Sequence, residues 1–396
     1  MKTRFLKFVW LPMAACFLPQ FLFAQGALTP PGAPAPAMKT LAQIEPRTPI
    51  SSAPFTITNP GSYYLTTNLF GTPANNGITV SSGNVVLDLE GFSLSGVTGG
   101  NYGVYVNSTC TNVTVRNGTL RGWLSGGAAS AGQGVLLERL HAYANGGYGL
   151  HIGGGGSIVR DCSAVSNVMS GVYSGGGVVS GCAVFGSASH GITAFYSTVC
   201  NCQAQNNNAA GIQANYCTVD NCQAENNATD GIDAYYSTVR GCSGCYNSMD
   251  GFYASRSMVR DCQASYNTLV GIYAIYGSTV SGCTLANNVQ SGIYVYLPNC
   301  QIIQNNCYGN NSSANTSHAG IYIDDGNNRV DENHVTGSGY AGIAVQSGYN
   351  GNVIIRNTVS GNGANNYVVS ASSVVGPLIT TTGTITNANP WANFSY

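Results

Sequence analysis

GITAFYSTVCNCQAQNNNAA, residues Gly191 to Ala210, is followed by GIQANYCTVDNCQAENNATD, Gly211 to Asp230, and then by GIDAYYSTVRGCSGCYNSMD, Gly231 to Asp250. Glycine recurs every 20 residues at Gly171, Gly191, Gly211, Gly231, Gly251 and Gly271, and cysteine at Cys162, Cys182, Cys202, Cys222, Cys242 and Cys262. The next pair, Cys283 and Gly292, arrives one residue late. A fixed period of this length describes stacked units, none of which can bury its apolar face alone.

The unit is read from its alternation. Ile192 and Ala194 point one way and Thr193 and Phe195 the other, as in a strand. Thr198 to Cys200 is a second short strand. The column that follows holds Asp161, Gly181, Asn201, Asn221, Gly241, Asp261 and Gly282, all residue types that tolerate a left-handed backbone, so it marks a sharp bend. A third strand carries Cys202 and Ala204 inward, and a loop with Asn207, Asn227, Asn247 and Asn267 closes the coil. Three short strands and three corners make one turn of a parallel β-solenoid. No 3.6-residue pattern competes, and the β-branched, Gly and Asn content disfavours helical repeats. Spacing does not fix the handedness.

Composition and the chain ends bound the function. Of 396 residues, 44% are hydrophobic and only 7% charged, with 52 glycines, which suits an extracellular solenoid better than a cytosolic enzyme. Lys2, Arg4 and Lys7 precede an apolar run from Phe8 to Phe23, and the pattern predicts a secretory signal over 1–24 with cleavage after Ala24. Met13 to Cys16 is a weaker lipoprotein-like alternative. No other segment is long and apolar enough to span a membrane. The mature chain keeps 11 basic and 15 acidic residues and a single lysine, Lys39, so nucleic acid is not an expected partner. Residues 25–37 read as a Pro/Ala-rich linker, 38–76 as an N-terminal cap, 77–370 as a solenoid of about 13 glycine-led coils, and 371–396 as a tail folding back over the last coil.

The segments GSYYLTTNL, NVVLDLEGFSL and NVTVRNGTLRGW, with coils of the form GI-x-A and NC or GC corners, resemble right-handed parallel β-helix proteins of the pectate-lyase-like superfamily. They are similar in particular to secreted bacterial β-helix-repeat proteins. The resemblance spans about residues 38–370 and implies an all-β, single-stranded right-handed parallel β-helix. It implies little about function, because the superfamily includes lyases, hydrolases, epimerases, tailspikes, adhesins and non-catalytic members.

Thirteen cysteines remain after the signal. The seven in the repeat column are expected as small apolar core fillers in a mostly reduced ladder, since parallel side chains suit a disulfide poorly. A linear column does not make a zinc tetrahedron. Cys200, Cys217 and Cys245 lie off the column and are the better candidates for pairing or surface chemistry.

Candidate chemistry lies on the outward columns of the first sheet. One column runs Tyr173, Thr193, Gln213, Asp233, Tyr253, Tyr273, Tyr294 and Tyr322; a neighbouring one includes Tyr235, and a third Tyr196, Tyr216, Tyr236, Arg256 and Tyr276. Tyr235, Tyr253, Tyr273, Tyr294 and Tyr322 are candidate sugar-binding residues, flat platforms whose hydroxyls can hydrogen-bond. Stacking that merely stabilises the sheet is the alternative. Asp230, Asp233 and Asp250 should converge near Tyr253 and Arg256. Such a cluster could hold calcium through oxygen ligands or supply an acid and a base for glycoside hydrolysis. The resemblance would add a lyase role for Arg256, but the surrounding lyase motifs are missing. Aspartates before glycine can equally be loop residues bonded to local backbone. A second acidic group, Asp324, Asp325, Asp331 and Glu332, comes with Arg329 and His334. The expectation is a secreted or cell-surface protein that binds, and could cleave, an extracellular polysaccharide, with a structural or adhesive rod as the rival. Walls for a cleft are expected at the longer excursions, Trp123 to Gly134 and Asn310 to Ala319.

Overall fold

The computed structural model describes residues 45–380 and 383–396. The expected signal, the linker and residues 38–44 of the expected cap lie outside the described residues. The chain divides into Met1–Pro46 and Arg47–Tyr396, and every strand among the described residues belongs to the second unit.

That unit is all-β and parallel throughout. The leading strands of the coils, from Phe55–Ile57 to Asn365–Val368, form one 15-stranded sheet, and the second and third strands of the coils join in a 30-stranded sheet. Repeats stay in strict register: Ile192 pairs with Ile212, Ile212 with Ile232 and Ile232 with Phe252. Fifteen coils rather than about 13 are present. The difference arises partly at the N-terminus, where Phe55–Ile57, Gly61–Leu65 and Leu69–Phe70 pair with the next coil's strands and so form a coil themselves. Among the described residues Thr48–Ile50 pairs only with Gly61–Leu65. At the other end Asn393–Ser395 pairs with Thr358–Ser360.

The inward columns are closed to solvent. Ile212, Ala214, Val219, Cys222 and Ala224 are all buried, as are their equivalents in neighbouring coils. Volume is balanced across columns: Phe252 replaces Ile in its column, and Gly244 replaces Ala opposite it, where a Cβ would lie 3.0 Å from the Phe252 ring. The cysteines are free among the described residues. Each ladder thiol donates to the carbonyl two residues back, as from Cys222 to Asp220 at 3.3 Å. Cys217 and Cys245, expected to pair or to serve the surface, are buried and unpaired; Cys217 occupies the corner column otherwise filled by Ser197, Ser237 and Ser257.

The predicted bend is left-handed at every position, with φ of 53° at Asn201 and 61° at Gly181. A second left-handed corner escaped the sequence reading. Tyr196, Tyr216, Tyr236, Arg256 and Tyr276 hold φ of 49–57° just after the leading strand. Bulky residues pay about 1 kcal/mol each for this conformation, and ring stacking at 5.1 and 5.0 Å along Tyr196, Tyr216 and Tyr236 offsets part of it. Trp123 also departs from expectation. It is 0% exposed, its Nε1 donates to the Leu94 carbonyl at 3.0 Å, and it fills the core instead of walling a cleft.

Candidate functional site

A groove of about 640 Å³ lies over the first sheet. Its floor is Tyr253, Tyr273 and Tyr294, which the strict register stacks one coil above another. Ring centroids are 5.5 Å apart for Tyr253 and Tyr273 and 5.3 Å for Tyr273 and Tyr294, with 8° between planes in both pairs. Tyr322 continues the stack at 5.3 Å and 17°. Parallel rings at one coil's spacing cover each other's faces, so the groove receives ring edges and hydroxyls. The expected flat platforms do not form inside the stack.

One wall is the column two residues before each glycine: Met249, Leu269, Gln290 and His318. The other comes from the strand ends, Ile275, Tyr276, Tyr296 and Leu297. His318 arrives on the Asn310–Ala319 excursion, as expected of a wall. Two carboxyls, Asp230 and Asp250, close the lining, and no Lys or Arg belongs to it.

Asp230 accepts the Asp250 amide at 3.1 Å, and Asp250 accepts the Val270 amide at 2.9 Å. The backbone bond expected of a loop aspartate is therefore present. It is dispensable to the coil, because Ala210 and Val270 occupy the same column with no acceptor to offer. Burial pushes the Asp230 carboxyl up to about 6, against the Asp250 amide and with the Asp233 charge adding to it. Burial likewise pushes Asp250 up to about 7, opposed by the Val270 amide and reinforced by the Asp230 charge. Asp233, raised by burial, pairs in register with Tyr253 beyond the end of the groove lining.

The remaining candidates disperse. Arg256 does not join the carboxylates: its guanidinium lies 4.3 Å from the Tyr276 ring centroid and 5.4 Å from that of Tyr236, and it makes no ion pair among the described residues. Tyr235 packs edge-on against Tyr216 and Tyr236, outside the groove. Tyr322 is only 6% exposed, and its hydroxyl donates to Gln346 at 3.1 Å. The second acidic group splits. Asp331 is drawn to another face, where burial alone would raise it but Arg356 and Arg329 hold it below the usual carboxylate range. Asp324 instead joins the tyrosine stack, accepting the Tyr294 hydroxyl at 2.5 Å through Oδ2. Its Oδ1 is enclosed and has no hydrogen-bond partner.

Calcium does not fit this arrangement. Among the described residues no group of three or more His, Cys, Asp or Glu side chains is placed to hold a metal ion. Asp230 and Asp250 each commit an oxygen to the next coil's amide. Sequence reading named Asp324 in the second acidic group without bringing it to Tyr294, expected a wall at the excursion that carries His318 without singling that residue out, and missed the column of Met249 and Leu269. The wall column could have been found by counting back from each glycine, whereas the position of Asp324 beside Tyr294 needed the lengths of two irregular coils.

Residues 102–240 and 213–362 match the family described as a right handed beta helix region. No curated protein matches the sequence. Among solved structures the chain is similar to the A-module of the Azotobacter vinelandii mannuronan C-5 epimerase AlgE6, at 18% identity and TM-score 0.47, over 80% of this chain and 91% of that one. It is similar also to the periplasmic alginate epimerase AlgG, at 10% identity and TM-score 0.35, over 82% and 78%. A third is the receptor binding domain of the siphovirus 9NA tailspike, at 10% identity and TM-score 0.40, over 81% and 74%. At these identities and scores neither substrate nor reaction carries over. The family match covers more than half of the 396 residues, and the chain belongs to the right-handed β-helix family.

Proposed function

We propose that this protein binds an extracellular polysaccharide lengthwise in the groove over its first sheet. One observation carries the reading: the tyrosine floor presents a hydroxyl per coil, in a straight row, at a spacing comparable with one pyranose ring in an extended glycan. Met249 and Leu269 on one wall and Ile275 and Leu297 on the other give such a chain apolar contact, and hydroxyl edges with Gln290 supply hydrogen bonds. The lining holds carboxyls and no cation, so polyuronates and nucleic acids are disfavoured ligands.

A second reading is hydrolysis of the bound chain. The near-neutral carboxyls of Asp230 and Asp250 on adjacent coils favour it, since a general acid must keep its proton close to pH 7. In this reading Asp250, the more strongly raised, is the acid, and Asp230 or Asp233 the second carboxylate. Arg256 has no part in it.

Both are tested on protein recovered from the culture medium, whose first residue is expected to be Gln25. Retention on immobilised polysaccharides is measured together with release of reducing ends. Binding should fall roughly tenfold in Tyr273→Ala and in Tyr294→Ala, and any turnover should disappear in Asp250→Asn. Failure of every polymer to bind would leave the rod as a structural element.

A further inference from the structure

Between Tyr196 and Tyr276, Arg256 is the member of its corner column that is not a tyrosine. It adopts the same left-handed backbone, at φ 50°, and its guanidinium continues the ring stack, 5.4 Å from the Tyr236 ring centroid and 4.3 Å from that of Tyr276. Tyr236 and Tyr276 remain 43% and 47% exposed, so the sandwich stands at the surface. Tyr276 also belongs to the groove wall, which seats Arg256 against the groove's rim.

Two features set this arginine apart. Arg116, Arg139, Arg160, Arg240, Arg329 and Arg356 each form an ion pair with a carboxylate of the chain. Arg256 forms none among the described residues, and both of its contacts there are to rings. A guanidinium between two rings keeps its donors free at its edge, because all five N–H groups lie in its plane. Shielded on both sides from water, that fork matches the paired oxygens of a carboxylate or a sulfate, and the hydrogen bonds are charge-assisted. The strained backbone points the same way, since a bulky side chain held in a left-handed corner without a partner in the protein is placed for use.

We propose that Arg256 is an anion subsite at the rim of the groove, and that the polysaccharide bound there has a neutral backbone carrying a carboxylate or sulfate substituent that the guanidinium receives. The inference rests on the polysaccharide reading and deepens it by naming the substituent. Asp230 and Asp250 in the groove lining oppose a chain charged at every sugar. A substituent on one sugar instead turns out of the groove past Tyr276 and leaves the backbone against the tyrosine edges. The carboxyls inside and the arginine outside therefore select sparse charge over dense charge.

The probes are dextran, β-glucan, xylan and mannan, each unmodified, sparsely carboxymethylated or sparsely sulfated, with binding measured by affinity electrophoresis at pH 7 in low and high salt. At low salt at least one polymer should bind roughly tenfold more tightly once derivatised, and high salt should remove most of that gain. The derivative that gives the larger gain identifies the substituent. Arg256→Tyr installs the residue that Tyr196, Tyr216, Tyr236 and Tyr276 already place in this column, so the coil should fold, which circular dichroism checks, and the gain should vanish. Arg256→Lys keeps the charge without the planar fork and should retain less than roughly half of the gain. No gain in the native chain, or a full gain in either variant, would overturn the subsite and leave the polysaccharide reading standing. Retention of no polymer in any form would overturn both.

Discussion

Two ladders of identical side chains climb this solenoid, one enclosed and one half open. In the third corner, Asn207, Asn227, Asn247, Asn267, Asn288 and Asn310 are all buried. From Asn227 onward each Oδ1 accepts both the backbone N–H and the side-chain amide of the asparagine one coil earlier, as Asn247 does from Asn227 at 3.0 and 3.1 Å. Each amide from Asn227 onward also donates to a carbonyl in the preceding coil, as from Asn247 to Ala224 at 3.1 Å. On the first sheet, Tyr253, Tyr273, Tyr294 and Tyr322 repeat at the same interval, but satisfy one another only through their faces. The asparagines use their hydrogen-bonding capacity inside the ladder and hold the coils together. Tyr294 and Tyr322 give their hydroxyls to Asp324 and Gln346, while Tyr253 and Tyr273 line the groove beside Asp250, which has only one oxygen engaged. Identical stacking therefore yields structure where the polar groups are consumed and a site where they are left over.

The largest expected effect breaks the closed ladder. Asn247→Ala leaves the Asn227 backbone N–H and one of its side-chain N–H groups without an acceptor in a dry corner and removes a donor from the Ala224 carbonyl, and should cost about 3 kcal/mol in urea unfolding. A cost under about 1 kcal/mol would mean that water replaces the ladder.

A smaller effect of opposite sign is expected at the open one. Asp250 has its carboxyl raised from 3.8 to about 7, so between those values the folded chain keeps a proton that the unfolded chain releases. Stability contributed by the protonated form is intact below about pH 4 and is lost as pH rises through 7. Asp250→Asn should accordingly stabilise the protein by about 2 kcal/mol at pH 8 and leave it unchanged at pH 4. A substitution that strengthens the fold while weakening ligand binding separates a site residue from a structural one. Destabilisation at pH 8 would return Asp250 to the class of loop aspartates.

The smallest effect repairs a gap. Ser187 stands in the asparagine column, and its buried hydroxyl has no partner. Ser187→Asn should extend the ladder to Asn167 and raise stability by about 1 kcal/mol, read as a rise in melting temperature. Loss of stability would show that the corner beside Val184 has no room for the longer side chain.

How much was legible in the sequence follows from the same contrast. The Gly, Cys and Asn columns could be read by counting, because a closed column admits few residue types and repeats them. The tyrosine column was equally visible, yet its use was misread: alternation gives the side of the sheet a ring occupies, and only the stacking geometry shows that its faces are covered. Arg256 was misplaced for a related reason. Its column belongs to a left-handed corner occupied by tyrosines, so the residue types gave no warning of a bend, and the bend carries the guanidinium between Tyr236 and Tyr276. The coil count fell short because the first coil, with strands of five and two residues after its leader, and the last, led by Asn365–Val368, carry no Gly-Ile or Cys marker.

The sequence by itself determined the solenoid, its three strands per coil, the inward columns and the left-handed bend at Asn201 and its equivalents. These follow from a strict 20-residue period, in which each choice is repeated until it is unmistakable. Only the tertiary structure decided which outward residues meet. Asp324 comes to Tyr294, and His318 to the groove wall, through coils of unequal length, and the raised carboxyls of Asp230 and Asp250 depend on burial by neighbouring coils. Period fixes what is shared by all coils; contact between unlike coils, and the solvent it excludes, makes the site.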